Sequence, residues 1–206
     1  MLGANDVLEY WFGVGPFDTA RLEERSTFWF GGGTPEAAAA RDGEIRAKLG
    51  PLLEQAARGG FDSWASSPRR RLALILLFDQ VPRNIFRGSA RAFAYDERAL
   101  ALAAEGMQLA ADQALQAHER LFFYLPLEHA EALDAQDACL LAMQRLVAEA
   151  PEPLRAYCEH SLGFARRHHE IIAKFGRFPY RNKVLGRADT PAERELLESG
   201  AERFGQ

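Results

Sequence analysis

Three stretches of the chain gather residue types that bind anions or transfer protons. They are FDQVPRNIFRG at 78–88, LFFYLPLEHAEAL at 121–133 and KFGRFPYRNKVLGR at 174–187. The first and third share a Phe, a Pro four residues later and an Arg-Asn pair. Arginine suits bidentate binding of carboxylate or phosphate groups, and glutamate and histidine are common proton-transfer groups in enzymes. The pattern therefore predicts either an anion site or an acid–base site.

These stretches supply two sets of candidate residues. The ligand-binding candidates are Asp79, Arg83, Asn84, Arg87, Tyr124, Glu131, Arg177, Arg181 and Asn182. The acid–base candidates are Glu128, His129 and His168. His168 lies on an apolar stripe with Cys158, Ala165 and Ile172, a position that is also typical of a hydrogen-bonded core histidine.

Three interpretations of these residues remain open at the level of sequence. The favoured one is a binding domain, in which the two Arg-Asn segments and residues 121–133 line a groove for a small anionic molecule or an acidic peptide. The second is an enzyme that uses Glu128, His129 and His168 for acid–base chemistry, with arginines stabilising charge. The third is an internal ion-pair network that only fastens helices together.

Composition excludes several other classes of protein. A net charge of −4 with no long basic run argues against nucleic-acid binding, and no apolar run reaches the length of a membrane span. Nucleotide and hydrolase motifs are absent, and FGGGTP at 30–35 lacks the preceding strand of a phosphate loop. We expect no cofactor. Two cysteines without CxxC spacing indicate a reducing compartment, so a cytoplasmic location is expected. The oligomeric state stays open.

Metal-ligand spacing is also missing. The five histidines have no His partner at i+4 and no Glu at i−3, which are the spacings of helical zinc and di-iron sites. We therefore expect no metal. A site assembled from Glu128, His129 and His168 is a minor alternative.

The local sequence patterns in the segments that position these residues are mostly typical of helices. Thr34-Pro35, Ser67-Pro68 and Thr190-Pro191 are typical helix starts, and the Thr190–Glu193 spacing is that of a capping box. Gly50, Gly176 and Gly200 are expected stops, Asp96 is an expected helix cap, and Asp112 is an expected start. Alternating β-branched runs are absent. The sequence predicts a single all-α domain over residues 1–206, built from antiparallel helical hairpins.

Two prolines are expected to break helices. LALILLF at 72–78 is apolar on every side and predicts a central buried helix. Pro82 should end that helix at Val81 and present Arg83, Asn84 and Arg87 from a tight turn. Pro126 should kink or break the next apolar helix. The run Arg69–Arg71 is expected on a solvated surface.

Taken in order, the segments ALILLFDQVPRNIFRGSARAFAYD, FFYLPLEHAE and HHEIIAKFGRFPYRNKVLGR resemble the bacterial family catalogued as domain of unknown function 924. The resemblance spans the chain from VLEYWFG to TPAERELL. It implies an all-helical fold similar to tetratricopeptide-repeat proteins and no established activity.

The family's motif positions correspond here to residues already singled out by their chemistry. They are Asp79, Gln80, Pro82, Arg83, Asn84, Arg87, Tyr124, Pro126, Glu128, His129, Glu131, His168, Gly176, Arg177, Pro179, Arg181 and Asn182. Tyr180 stands where the family pattern has His.

Overall fold

The computed structural model describes residues 3–30 and 34–200, and regular structure in these ranges is entirely helical. The α-helices there are α1 (Ala4–Phe12), α2 (Thr19–Phe30), α3 (Pro35–Ala57), α4 (Pro68–Ile85), α5 (Asp96–Gln108), α6 (Ala117–Glu128), α7 (Leu133–Glu149), α8 (Glu152–Phe175) and α9 (Pro191–Glu198). Short 3₁₀ turns lie at Asp62–Ser66, Ala90–Phe93, Asp112–Ala114 and Pro179–Arg181. The all-α prediction is confirmed. The three glycines of the FGGGTP segment lie outside the described residues.

Helix α4 lies at the centre of the fold, as its apolar sequence predicts. Every residue from Arg71 to Pro82 is buried, and the helix packs against α1, α3, α5 and α6. Consecutive helices α6, α7 and α8 also pack against one another. Most of the buried apolar side chains form one core, while Ala92, Ala130, Ile172 and Phe178 are buried outside it. The likeness to tetratricopeptide-repeat proteins stays a prediction.

The expected break at Pro82 is wrong, because α4 continues through the proline to Ile85. A proline inside a helix removes one backbone hydrogen bond, here the bond to the carbonyl of Phe78, and the tertiary packing around α4 outweighs that loss. Arg83 and Asn84 therefore lie in the last turn of the helix, and only Arg87 follows it.

Pro126 also lies inside a helix, but close to its end. Helix α6 continues to Glu128, and His129 is its C-cap. The buried side chain of Gln136 in α7 holds this end in place. Its Nε2 lies 3.2 Å from the carbonyl oxygen of Leu127, 2.6 Å from that of Glu128 and 2.8 Å from that of Ala130. The two shorter contacts satisfy the carbonyl groups of Glu128 and Ala130, which the end of the helix leaves without backbone partners, and the backbone around Glu128 and His129 is fixed.

The predicted helix starts are mostly correct. Thr34 caps α3, Ser67 precedes Pro68 at the start of α4, and Thr190 and Glu193 form the expected capping box. Gly176 ends α8 in the left-handed conformation, with φ of 69°, which glycine adopts at little steric cost.

Other boundary predictions are wrong. Helix α3 runs past Gly50 and Pro51 to Ala57, since Leu49, Leu52 and Leu53 are buried on one face and hold it together. Asp112 begins only a 3₁₀ turn, and α6 starts five residues later. Asp96 is the first residue of α5 and not its cap, which is Tyr95.

The prediction for the Arg69–Arg71 run also needs a correction. Arg69 and Arg70 are exposed as expected, but Arg71 is 3% exposed. Its Nη1 donates to the carbonyl of Leu102 and to Glu105. Within the described residues, no helix is long and apolar enough to cross a membrane.

Candidate functional site

A carboxylate–imidazole pair joins α4 to the end of α6. Oδ1 of Asp79, which is fully buried, lies 2.7 Å from Nδ1 of His129. Gln80 donates to the other oxygen of Asp79 at 2.6 Å, and Nη1 of Arg83 lies 3.1 Å from Oδ1. Burial by itself raises the pKa of Asp79, but Arg83, His129 and Gln80 outweigh it and hold that pKa well below its usual range. Asp79 is therefore a carboxylate.

The charge on Asp79 fixes the protonation of His129. A carboxylate only accepts hydrogen bonds, so Nδ1 of His129 carries the proton and Nε2 carries the lone pair. Burial and the nearby Arg83 lower the pKa of His129 in spite of Asp79, and its ring is neutral near pH 7. Within the described residues, the hydrogen bonds of this side chain involve Nδ1 alone. The side chain is 15% exposed, so this pair has access to solvent at its histidine end.

A second pair, Glu128 and His168, lies beside the first. Oε1 of Glu128 is 3.2 Å from Nδ1 of His168, which also lies 3.0 Å from the carbonyl oxygen of Phe164. Both side chains are buried. Burial, with a contribution from Asp79, raises the pKa of Glu128 to about 8, and burial lowers the pKa of His168 to about 3. Glu128 is thus mostly protonated at neutral pH, and His168 is neutral.

The two pairs are close enough to act on one ligand. The ring centroids of His129 and His168 are 6.3 Å apart. The environment keeps Asp79 ionised and Glu128 protonated. A pair of carboxyl groups whose pKa values are pushed apart in this way is typical of acid–base sites.

Two arginines converge on Asp96, the first residue of α5. Arg83 donates to it through both terminal nitrogens, at 2.8 and 2.9 Å, and Nη1 of Arg181 lies 3.6 Å from Oδ2. Arg181 also donates from Nη1 to the carbonyl of His129 at 3.0 Å. The ring of Phe93 lies under both guanidinium groups. The first and last of the three sequence stretches therefore meet at one point.

Arg181 is the more buried and the less satisfied of the two arginines. It is 4% exposed, and Nε is buried without a hydrogen-bond partner in the described structure. The rings of Phe93, Phe178 and Tyr180 lie 4.6, 4.4 and 5.9 Å from the guanidinium carbon. Burial lowers the pKa of Arg181, with a further contribution from Arg83, while Tyr180 and Asp96 act in the opposite direction. An additional negative charge here would favour the charged guanidinium.

The cluster reaches the surface through a narrow rim rather than an open groove. Phe93 and Tyr180 are partly exposed, and the side chains of Asp96 and His129 are 21% and 15% exposed. We call the groups around Arg83, Arg181 and His129 the arginine–histidine cluster. A surface cavity of about 470 Å³ lies elsewhere, at the start of α4, where Ser67, Arg71 and Glu105 contribute to its lining.

The remaining predicted ligand residues do not join this cluster. Arg87 pairs with Asp42, Arg177 with Glu193, Glu131 with Arg187, Asn182 with Asp189 and Tyr124 with Asp112, while Asn84 donates to the carbonyl of Gln80. Glu131 does not share a helix face with Tyr124 and Glu128, because α6 ends at Glu128 and Glu131 lies beyond it. These contacts join helices and loops at separate places.

Several members of the cluster carried no functional signal in the sequence. In the sequence, Asp96 is recognisable only as a helix-capping acid. Phe93, Phe178 and Gln136 are residue types that are common in protein cores and helices. Contacts with distant segments are what distinguish them: Asp96, Phe93 and Phe178 lie against arginines, and Gln136 lies against the end of α6. Within the described residues, His, Cys, Asp and Glu do not form a group of three or more that could hold a metal ion.

Comparison with known families decides the relationship of the chain. The model of a family described as bacterial protein of unknown function (DUF924) matches residues 7–201. The chain belongs to this family. The match includes Asp79, Arg83, Glu128, His129, His168 and Arg181, so the whole cluster lies in the part of the chain that the DUF924 model covers.

A solved structure of another protein has the same overall fold. It is a protein of unknown function from Agrobacterium tumefaciens, 34% identical to this chain, with a TM-score of 0.78. The match covers 96% of this chain and 97% of the other. No curated protein matches the chain. The family and the solved relative leave the function unknown, so a functional assignment depends on the chemistry of the site.

Proposed function

We propose that the protein binds a small anionic ligand at the arginine–histidine cluster. The observation that supports this most directly is Arg181, a cation 4% exposed that forms hydrogen bonds only through Nη1 in the described structure. A buried donor without a partner costs about 1–3 kcal/mol. An anion at Nε and Nη2 would remove that cost and offset the repulsion from Arg83.

The convergence of two guanidinium groups gives this proposal its location. Arg83 and Arg181 lie near the same carboxylate, Asp96, and over the same ring, Phe93. Asp96 is held by two hydrogen bonds from Arg83 but is 3.6 Å from Arg181. Charge compensation is therefore weaker at Arg181 than at Arg83, and Arg181 is the better anchor for a ligand.

Peripheral arginines do not share this role. Arg87, Arg177 and Arg187 each donate to a carboxylate through two nitrogens. Such bidentate pairs use the geometry that would otherwise bind a ligand. We assign a purely structural role to these three arginines. They fasten loops and helices, as the third sequence interpretation proposes for all of the candidate residues.

Binding can be tested by isothermal titration with acetate, benzoate, phosphate and sulfate at constant ionic strength. We expect at least one of these anions to bind wild-type protein, and Arg181→Gln to abolish its binding. Arg177→Gln is a matched control, because it removes a surface-facing arginine that is paired with Glu193. Retained affinity in a folded Arg181→Gln protein, or no binding of any anion to wild type, would overturn the proposal.

A second candidate function is acid–base catalysis on the bound ligand. It is favoured by the orientation of His129, whose Nδ1–H donates to Asp79 so that Nε2 bears the lone pair. Asp79 is then a positioning residue, and His129 is the base.

Diethyl pyrocarbonate acylates neutral imidazole nitrogen and therefore probes this candidate directly. We expect His129 to be modified faster in wild type than in Asp79→Asn, as measured by peptide mass spectrometry, with the exposed His160 as internal control. Equal rates in both proteins would contradict a base oriented by Asp79.

We also propose that the protein works in the cytoplasm. Cys139 and Cys158 are both free and buried, which is expected of thiols in a reducing compartment.

A further inference from the structure

The charges around Arg181 bear on the chemical class of the ligand. Two guanidinium groups, Arg83 and Arg181, face two carboxylates, Asp79 and Asp96, within the cluster. Glu128 and both histidines add little charge near pH 7, since burial favours their neutral forms. A monoanion would add one negative charge to this balanced group, whereas a dianion would add two. Burial makes the second charge costly.

The shape of the available donors points in the same direction. Nη1 of Arg181 is used by the carbonyl of His129 and by Asp96. Nε and Nη2 remain, and they form one planar edge with two parallel N–H groups. That edge matches the two oxygens of a carboxylate side-on. A phosphate also fits such an edge, but its third oxygen would need a further donor.

Aromatic rings define what surrounds the rest of the ligand. Phe93, Phe178 and Tyr180 all lie within 6 Å of the Arg181 guanidinium carbon. Phe93 and Tyr180 are also partly exposed and form the rim through which the cluster reaches solvent. A ligand held by Arg181 would therefore place its remaining atoms against rings rather than against charged groups.

We propose that the ligand is a small monocarboxylate with an apolar or aromatic body. The carboxylate binds Nε and Nη2 of Arg181, and the body packs on Phe93 and Tyr180. This inference rests on the proposed function, because it names the class of anion that the same cluster takes.

The test is isothermal titration of the full chain with benzoate, acetate, phosphate and sulfate. We expect benzoate to bind at least about tenfold more tightly than acetate, which corresponds to about 1.4 kcal/mol of buried ring surface. Phosphate and sulfate should bind weakly or not at all. Arg181→Lys keeps a charge but loses the two-donor edge, so it should lose benzoate binding, and Arg177→Lys should not.

A second variant keeps the proposal testable if Arg181→Lys does not fold. Phe93→Leu retains an apolar, partly exposed side chain and removes the ring. It should reduce the preference for benzoate over acetate while acetate affinity changes little. An unchanged preference in Phe93→Leu would overturn the assignment of the ring contact.

Other outcomes separate this inference from the proposed function. Binding of phosphate or sulfate through Arg181, without binding of carboxylates, would overturn the monocarboxylate class and support the anion site. No binding of any of the four anions would overturn both. Equal benzoate affinity in wild type and Arg181→Lys would overturn the bidentate contact.

Discussion

Nδ1 of His129 lies 2.7 Å from Oδ1 of Asp79, and this contact joins residues that are 50 positions apart. The aspartate is fully buried in α4, while the histidine is the C-cap of α6. A buried carboxylate needs partners that offset its lost hydration. His129, Gln80 and Arg83 supply them here, so this contact contributes to both the fold and the candidate site.

Asp79→Asn is expected to destabilise the protein strongly. Removing one partner of a buried ion pair costs about 3 kcal/mol or more, because the other charge is left uncompensated. Asp42→Asn is the matched control, since the Asp42–Arg87 pair lies nearer the surface and should be worth about 1 kcal/mol or less. Urea unfolding of both variants measures the difference. Equal losses would mean that Asp79 contributes no more than a surface carboxylate.

Glu128 should make stability fall with rising pH. The folded protein holds the Glu128 proton up to a pKa of about 8, whereas the usual value is near 4.5. The unfolded chain releases that proton at a lower pH than the folded protein does. The contribution of Glu128 to the free energy of unfolding is therefore complete below about pH 4.5 and is lost as pH rises through 8. Glu128→Gln, which resembles the protonated form, should remove this slope. Urea unfolding at pH 5, 6.5 and 8 measures it, and parallel curves for the two proteins would contradict the raised pKa.

His118 should make stability fall at acid pH. Its ring stacks on Phe17 with centroids 3.7 Å apart, and its buried Nδ1 has no partner in the described structure. Burial, with Arg69 nearby, lowers its pKa from 6.5 to about 4. Below pH 6.5 the unfolded chain takes up a proton that the folded protein resists.

His118→Phe therefore should flatten the loss of stability between pH 6.5 and pH 4. The Phe ring keeps the stacking, so the variant should be at least as stable as wild type at pH 5 in thermal unfolding. His160→Phe, at an exposed position, serves as the control and should leave the acid slope unchanged. A His118→Phe protein with the wild-type slope would show that this histidine does not set it.

Gln136→Ala should loosen the end of α6. The amide nitrogen of Gln136 contacts three carbonyl groups there, and leaving buried carbonyls unsatisfied costs about 1–3 kcal/mol. Gln144→Ala, at an exposed position on the same helix, should change stability little. Faster amide hydrogen exchange at residues 127–130 should accompany the loss. Unchanged exchange would show that Gln136 does not hold this segment.

The amino-acid sequence predicts the central helix and the main chemical groups, but not how these groups pair. The run from Leu72 to Phe78 is apolar on all sides, so its burial follows from composition alone. His168 was expected on the core stripe and is buried there. The outcome at Pro82 could not be foreseen, because a local preference for breaking a helix competes with packing from four other helices. The convergence of Arg83 and Arg181 on Asp96 depends on tertiary contacts of this kind.

The cluster draws its members from four separate segments, which supply Asp79, Asp96, His129 and Arg181. Closing the chain between residues 79 and 181 costs entropy before any of these contacts forms, so we expect them to form after the folding transition state. Substitutions in the cluster would then speed unfolding while leaving the rate of folding nearly unchanged. The charged groups of the cluster would thus determine how long the native protein persists before it unfolds, rather than how quickly it folds.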